Sequence, residues 1–561
     1  MKQLLAAVLL AFPCALSAQL APSDPLLDAM KTELNRSAEK LRNAEATPLY
    51  YIGYEVYDKT SYSLSAQEGS VYSEDDRRSR SLDVDVRVGS TSLDNTHEIK
   101  GNNSSGNSNR QEAFTLPVEN DPAPLRAEIW NLTDRAYKAA EDQYAKVKMN
   151  KSVTAEEEDK SDDFSKARAD NFYEKASFPA IDKAKFRGMA RRLSDKFKAY
   201  DFIYDSDVRL TADTVNRYMV NSDSASLVTG NTYVRFIYSL YTRTNDGMDL
   251  SRVKIYDSDT PGELPAESVI AKDIDVSIAE LKALRAAAPE QPYSGPVILE
   301  SRAAGVFFHE ILGHRLEGHR QKSEESGQTF AKKVGQPIMP AFLSLYDDPT
   351  QYRFGGQFLR GSYRYDDETV PAQKAVLVEN GVLKGFLMGR SPIKNFPGSN
   401  GHGRRSEGRG AVARMGNLVA TSTKMVPYAE LRKRLIEEVK KAGKPYGLVV
   451  TDIAGGFTIT ERYLPQSFSV NVTMGYKVYP DGRPDEAVRG LNLIGTPLQT
   501  FSRILETGDD YAVFNGSCGA ESGWVPVSSV APSLLFSEME SEKVQKSNTR
   551  PPVLKPPFTD N

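Results

Sequence analysis

Three of the five histidines of this chain lie within one short stretch, "FFHEILGHRLEGHR". His309 is followed directly by Glu310, as in the His-Glu-x-x-His signature of zinc hydrolases, but the next histidine, His314, comes one position late. Two imidazoles bind zinc, and a neighbouring carboxylate supplies the general base for hydrolysis. The stretch therefore predicts a metal site with His309 and His314 as ligands and Glu310 as base.

The late histidine sets a geometric condition on that site. Each residue of a regular helix turns by about 100°, so a histidine four positions on is displaced by about 40°, and one five positions on by about 140°. His309 and His314 bind one ion only if the helix ends or widens between them. Gly313 predicts such an end, by a left-handed C-terminal cap or a π-bulge.

The helix around His309 is apolar on nearly every side, which predicts that it is buried. A buried carboxylate without a partner is costly, and a metal cation would provide that partner for Glu310. The competing interpretation is a set of core polar residues satisfied by other side chains.

A third ligand has two candidates in the sequence. His319 lies ten residues after His309, as in the metzincin pattern, but the middle histidine and the glycine do not fit that pattern. Cys518 stands in "NGSCGAESG", a Gly- and Ser-rich segment predicted to be a loop that presents a thiolate. His₂Cys with water is a known catalytic zinc set, although a lone cysteine is often only a buried thiol.

The elements that must position these residues fall into two halves. Residues 22–290 show alternating strands from Tyr50 to Gly89, further strands near residues 200–243, and helices with apolar residues three and four apart. One such stripe starts at Leu125 and runs to Tyr144, and another helix covers about Val269 to Ala288. This half is predicted to be an α/β domain with helices beside a largely antiparallel sheet.

Residues 295–540 are predicted to form a β-rich catalytic domain that carries the buried histidine helix, so the overall class is α+β. Asn380-Gly381 is a strong hairpin signal within "VLVENGVLKG". A helix is expected near Tyr428 to Lys441. Residues 541–561 form a Pro-rich segment that we expect to be a flexible tail.

The N-terminus has the pattern of a secretory signal peptide over residues 1–18, with one lysine, an apolar run and small residues near Ala18. We therefore expect an exported protein, periplasmic or secreted, without a membrane span. The signal contains Cys14, so Cys518 would be the single cysteine of the mature chain and could form no internal disulfide. A net charge of −4 with mixed signs gives no indication of nucleic-acid binding.

Several segments together resemble the TldD/PmbA family of zinc metallopeptidases. TldD-type members carry His-Glu-x-x-x-His and a distant cysteine before a glycine, matched here by His309 to His314 and by "SCGAESGWVPVS". The likeness continues in order through "DDETVPAQKAVLVENGVLKGFLMGR", "GHGRR", "ARMGN" and "RGLNLIGTPLQ", and covers residues 295–536. Family members are typically cytoplasmic, so the export pattern is a departure.

The resemblance implies one Zn²⁺ per chain, held by His309, His314 and Cys518. It implies cleavage of unfolded or extended peptides in an enclosed cleft, by a homodimer or by a heterodimer with a paralogous subunit. His319 is then expected outside the ligand set. The sequence also suggests weakly that His402, Arg404 and Arg405 contact substrate, with a structural loop role as the alternative.

A non-catalytic alternative is an exported binding or assembly protein with a structural metal site. The two functions differ at Glu310, because a structural zinc site requires no free carboxylate beside its ligands, whereas peptide hydrolysis does.

Overall fold

The computed structural model describes residues 23–43, 47–100, 114–154, 156–323, 325–546 and 549–559. The predicted signal peptide at residues 1–18 lies outside these residues. Among the described helices, none is long and apolar enough to cross a membrane.

The helices of the described residues range from one to about nine turns. They are α1 (Pro25–Arg42), α2 (Pro122–Val153), α3 (Lys183–Asp195), α4 (Glu267–Ala286), α5 (Ser301–Ile311), α6 (His319–Lys322), α7 (Tyr428–Lys441) and α8 (Pro497–Ser502). Short 3-10 turns cover Lys196–Ala199, Pro261–Glu263, Gly313–Leu316 and Pro557–Thr559. The predicted helices of both halves are confirmed, although α2 continues to Val153, well beyond the predicted apolar stripe that ends at Tyr144.

The N-terminal half contains one large sheet of eight strands, in which all pairs except β5 with β7 are antiparallel. Its strands are β1 (Leu49–Gln67), β2 (Ser70–Ser90), β3 (Leu93–Asp94), β4 (Phe114–Thr115), β5 (Asn171–Glu174), β6 (Asp205–Asn221), β7 (Ser226–Arg243) and β8 (Asp249–Ser258). The predicted antiparallel sheet with helices beside it is confirmed.

The two faces of this sheet have different neighbours. Along β1, the even-numbered Val56 belongs to the core under α1 and α2, and Leu64 belongs to the core under α3 and α4. The odd-numbered Tyr51 and Glu55 point to the opposite face, because side chains alternate along a strand. That face meets the C-terminal half, where Glu55 pairs with Arg405 at 2.7 Å.

The second half contains one sheet of twelve strands and two small hairpins. Its strands are β9 (Ser294–Leu299), β10 (Leu343–Asp347), β11 (Arg353–Phe354), β12 (Gln357–Phe358), β13 (Ala375–Glu379), β14 (Val382–Leu383), β15 (Gly403–Arg404), β16 (Val412–Ala413), β17 (Asn417–Ser422), β18 (Met425–Val426), β19 (Gly447–Thr458), β20 (Phe468–Val478), β21 (Glu486–Val488), β22 (Leu491–Gly495), β23 (Ile504–Ala520) and β24 (Gly523–Lys543).

Part of this sheet closes on itself. Strand β24 pairs with β22, β22 with β20, β20 with β19, β19 with β9, and β9 with β24 again. Helix α5 packs on β24, β19 and β23, and its phenylalanines enter the largest core of the molecule. The histidine helix is therefore held on a closed framework, which limits its movement.

The hairpin predicted at Asn380-Gly381 is confirmed, and both residues have positive φ values of 48° and 78°. The sheet strands of the second half begin at Ser294 and end at Lys543, close to the predicted domain limits of 295 and 540. The tail from residue 549 lies against the N-terminal half, where Lys555 Nζ is 3.1 Å from Asp201.

Candidate metal centre

Helix α5 ends at Ile311, between the two histidines of the motif. The chain then forms the 3-10 turn Gly313–Leu316, which brings the ring centroids of His309 and His314 to 5.1 Å. The predicted helix end is present, but Gly313 does not adopt the left-handed conformation, and no π-bulge forms. Glycine is required there by packing instead, because a Cβ at this position would lie 2.1 Å from Met415 Sδ.

Cys518 lies in strand β23, where the sequence predicted a loop. It pairs with Val525 of β24, close to the hairpin turn between the two strands, and its side chain is buried. The glycines and serines around it indicated a loop, but here they form a strand because β24 supplies a long partner for backbone pairing. This strand carries the thiol back across the chain to the end of α5.

The structure brings together the three residues predicted as ligands. Cys518 Sγ lies 3.1 Å from His309 Nε2 and 3.3 Å from His314 Nε2. Within the described residues, these three form the one group of His, Cys, Asp and Glu atoms, all within 4.8 Å of one another, that could hold a metal ion. Two imidazole nitrogens and one thiolate are a donor set that zinc accepts, so the residues present fit that ion.

The second nitrogen of each imidazole contacts a buried oxygen behind the cluster. His309 Nδ1 lies 3.5 Å from Ser529 Oγ, and His314 Nδ1 lies 3.2 Å from Glu317 Oε1. Such contacts orient the two rings so that both Nε2 atoms are directed at the cysteine sulfur.

The three groups influence one another's protonation strongly. Burial alone would raise the pKa of Cys518, but His314, His309 and Arg414 together hold it well below its ordinary value of 9.0. Burial would likewise lower the pKa of His314, yet the charges of Cys518 and Glu317 raise it to about 10. The cysteine is thus held as a thiolate, the form that binds metal.

Glu310 lies beside this cluster, at the edge of a large cavity. Its carboxylate forms no hydrogen bond or ion pair with the described residues, although the side chain is 9% exposed. A Cβ on Gly456 of β19 would lie 3.0 Å from Glu310 Cγ, so the carboxylate stands next to that strand. It is a free carboxylate in a mostly buried position.

His319 lies outside the cluster. Its Nε2 is 2.5 Å from Glu521 Oε1, and Arg320 binds the other oxygen of the same carboxylate at 2.9 Å. These contacts link the start of α6 to the turn between β23 and β24.

The residues predicted to contact substrate are occupied by internal contacts. His402 is fully buried and has Asn400 on one ring nitrogen and Asp347 on the other. Arg404 donates to the carbonyl oxygens of Met415 and Pro526. Neither lines the cavity, so their positions favour the structural alternative over the predicted substrate contact.

Arg405 lines the cavity but is also engaged from behind. Its guanidinium pairs with Glu55 at 2.7 Å and with Asp83 at 3.3 Å, both on the N-terminal sheet. Arg405 therefore joins the two halves of the protein behind the cavity wall. Its partners are more than 300 residues away in the sequence, so the local motif did not indicate this role.

The cavity has a volume of about 1850 Å³ and is lined by both halves of the chain. Tyr51 and Arg87 contribute from the N-terminal sheet, whereas the metal cluster and Gly455 contribute from the C-terminal half. The cluster therefore faces a partly open space large enough for several residues of an extended peptide.

Sequence reasoning missed three residues that contact the cluster from behind, namely Glu317, Arg414 and Ser529. Glu317 carried a readable signal, because a residue three positions after a helical histidine shares its face. Arg414 lies in the family-like segment "ARMGN", but that segment did not indicate its contact with the cluster, and Ser529 carried no signal.

Comparison with known proteins relates this site to one family. Residues 292–543 match the PmbA/TldA metallopeptidase C-terminal domain. A metalloprotease from Methanothermobacter thermautotrophicus is 30% identical over 254 residues, which are 45% of this chain and 51% of that protein. A TldD homologue of Haemophilus influenzae is 29% identical over 252 residues, which are 44% and 47% of the two chains. This chain thus spans about half the length of the curated relatives that it matches.

Solved structures extend the likeness in fold to nearly the whole chain. TldE from Thermococcus kodakarensis superimposes with a TM-score of 0.57 over 92% of this chain and 100% of that one, at 14% identity. A candidate modulator of DNA gyrase from Bacteroides thetaiotaomicron gives a TM-score of 0.59 over 93% and 100%, also at 14% identity. At such identities the similarity concerns the fold alone.

Proposed function

This chain belongs to the TldD/PmbA family of metallopeptidases, and from that premise we propose that it is a zinc-dependent peptidase that hydrolyses unfolded or extended peptides. We assign His309, His314 and Cys518 as the ligands of one Zn²⁺ per chain and Glu310 as the general base.

One observation carries this proposal: three side chains that could hold a metal ion converge next to a carboxylate that forms no hydrogen bond or ion pair with the described residues. A structural metal site would be complete without Glu310, and a carboxylate kept unpaired in a mostly buried position is costly. Retaining such a group at the ligand cluster, facing a cavity, is what hydrolysis requires.

Zinc bound at these ligands would act as a Lewis acid toward water and the scissile carbonyl. Glu310 accepts a proton from the attacking water and passes it to the leaving amine. The apolar residues of α5 exclude bulk water from this carboxylate on the helix side. The Nδ1 contacts of both histidines keep their rings in the orientation that directs Nε2 at the site.

The cavity and its strand edges support an extended peptide as substrate. Strand β19 pairs with β9 from Leu448 to Val450. Beyond Val450, its one partner among the described strands is β20. Its segment Gly455–Phe457 lines the cavity with one edge, and a Cβ on Gly455 would meet no atom within 4 Å. An extended peptide can add to such an edge through its backbone, with little dependence on its side chains. Folded domains would be excluded by the size of the space.

Export and oligomerisation belong to the same proposal. The sequence pattern of residues 1–18 supports export to the periplasm or the outside of the cell. A homodimer or a heterodimer with a paralogous subunit is part of the proposal because the sequence resemblance to the TldD/PmbA family implies it. N-terminal sequencing of the mature protein and light scattering test these points.

The decisive experiment combines zinc analysis with proteolysis of casein, comparing the wild type with Glu310→Gln. We expect both proteins to bind one zinc, and the variant to lose activity by about 10²–10⁴-fold, the usual contribution of a general base. Glu461→Gln is the matched control, because Glu461 lines the same cavity outside the ligand cluster. Full activity in Glu310→Gln, or no zinc and no proteolysis in the wild type, would overturn the proposal.

A further inference from the structure

Two fully buried charged residues lie directly behind the metal cluster, Glu317 and Arg414. Neither lines the cavity, so neither can contact a substrate. Burying a charged pair costs free energy, and such a pair contributes little net stability compared with apolar residues of the same volume. Their placement therefore calls for a role other than stability alone.

Glu317 holds the ring of His314. Its Oε1 lies 3.2 Å from His314 Nδ1, and its Oε2 accepts a hydrogen bond of 2.8 Å from Arg320 Nε. A carboxylate in this position fixes the ring orientation and makes the opposite nitrogen a stronger ligand.

Arg414 connects this carboxylate to the strand that carries the thiol. Its Nε lies 3.3 Å from the same oxygen, Glu317 Oε1. Its Nη2 donates to the carbonyl oxygen of Cys518 at 2.8 Å, and its Nη1 donates to Ser522 Oγ at 2.8 Å. One rigid guanidinium thus contacts the group behind one ligand and the backbone of another.

The two ligands come from distant parts of the chain. His314 stands on the 3-10 turn after α5, whereas Cys518 stands 204 residues later on β23. Without a link, the distance between turn and strand would depend on packing alone. The planar fork of an arginine sets distance and angle together, which a lysine cannot do.

We propose that Glu317 and Arg414 are positioning residues that lock His314 and Cys518 at the separation required by one metal ion. This inference rests on the proposed zinc site. It adds a determinant of metal affinity and site geometry that lies outside the ligand set.

The test measures zinc affinity by chelator competition, together with the absorption spectrum of the Co²⁺-substituted protein, which reports ligand geometry. We expect Glu317→Gln and Arg414→Gln each to weaken zinc binding by about 10–100-fold, the range known for groups behind metal ligands. Both should also alter the thiolate and d–d bands of bound Co²⁺. Arg414→Lys should recover part of the affinity but not the wild-type spectrum, because it keeps the charge and loses the fork.

Arg80→Gln is the control for the loss of a buried arginine. Arg80 is fully buried in the N-terminal sheet, donates to the carbonyls of Pro117 and Glu119, and pairs with Asp58, so these partners all belong to the N-terminal half. It should lower the melting temperature and leave zinc affinity and the Co²⁺ spectrum unchanged. Glu317→Gln preserves shape, so it remains informative even if Arg414→Gln does not fold.

The proposal is overturned if the Glu317 and Arg414 variants bind zinc as tightly as the wild type with the same Co²⁺ spectrum. That result would leave them as structural residues like Arg80. Failure of the proposed zinc site gives a different result, because the wild type itself would then bind no zinc, and failure of the proposed catalysis is read separately from the activity of Glu310→Gln.

Discussion

His309 and His314 share with His402 a buried position in the same half of the molecule, yet their surroundings differ. Each ring of the first pair has one nitrogen backed by a buried oxygen and one directed at Cys518 Sγ. Both ring nitrogens of His402 already have protein partners, Asn400 and Asp347. Burial and residue type thus do not identify a metal ligand; a ring nitrogen left available beside another donor does.

The largest effect should follow from removing the shared donor of the first pair. Cys518→Ser should abolish peptidase activity. It should also weaken zinc binding more than substitution of a residue that only supports a ligand, for which a loss of about 10–100-fold is expected. Iodoacetamide should modify wild-type Cys518 only after chelation, because bound metal shields the thiolate. A cysteine nucleophile would instead be alkylated, with loss of activity, while metal is present.

His319→Ala is the matched control for Cys518→Ser, because His319 lies nearby but contacts Glu521 instead of the thiol. It should leave zinc content and activity nearly intact. If this variant loses zinc while Cys518→Ser keeps it, His319 is the third ligand and the assignment of Cys518 is wrong.

For His402, we expect a loss of stability without a loss of zinc binding. His402→Ala should destabilise the fold by about 3 kcal/mol, because it removes a fully buried ring together with its hydrogen bonds to Asn400 and Asp347. Urea denaturation measures this loss. Zinc affinity of the folded variant should stay within about twofold of wild type. A loss of zinc without a loss of stability would remove the distinction between the two kinds of histidine.

Gly313→Ala should have a smaller effect and tests how the turn places His314. The added Cβ would lie 2.1 Å from the sulfur of the buried Met415, and relieving such a clash costs about 1–3 kcal/mol. Part of the adjustment should move His314 and weaken zinc binding.

Gly262→Ala is the control, since no atom lies within 4 Å of its Cβ position. Adding Met415→Ala to Gly313→Ala should restore much of the zinc affinity if the clash is the cause. Equal losses in the single and double variants would indicate instead that the backbone of the turn requires glycine.

The smallest effect concerns His97, a histidine that pairs with carboxylates. Its hydrogen bond to Asp163 is the main cause that raises its pKa above the ordinary 6.5; Glu157 adds to this, while burial opposes it. A raised folded-state pKa stabilises the fold fully below about pH 6.5, and this contribution is lost as the pH rises through the folded value. Lys322 and Lys151 pair with the same two carboxylates and partly neutralise their negative charge.

His97→Gln should therefore lower the free energy of unfolding more at pH 6 than at pH 9, with a difference of about 1 kcal/mol or less. Thermal unfolding of both proteins across this range measures the difference. If the stability difference between the wild type and His97→Gln is the same at both pH values, or larger at pH 9, then His97 does not stabilise the fold in its charged form.

Local patterns in the sequence were sufficient for much of the fold. The apolar stripe from Leu125, the hairpin at Asn380-Gly381 and the helix Tyr428–Lys441 each depend on residues close in sequence, and each is present. Periodicity and turn chemistry act over a few residues, so a single sequence carries them. The helix end before His314 belongs to this class, since the two histidines constrain it directly.

The sequence by itself also named His309, Glu310, His314 and Cys518 as candidates, but only tertiary structure decided how they meet. The strand pairing of Cys518 with Val525 depends on β24, and the reason for glycine at position 313 depends on Met415. The roles of His402 and Arg414 depend on partners 55 and 104 residues away. Contacts between such distant residues are set by how the sheet closes and how the core packs, and no local pattern encodes them.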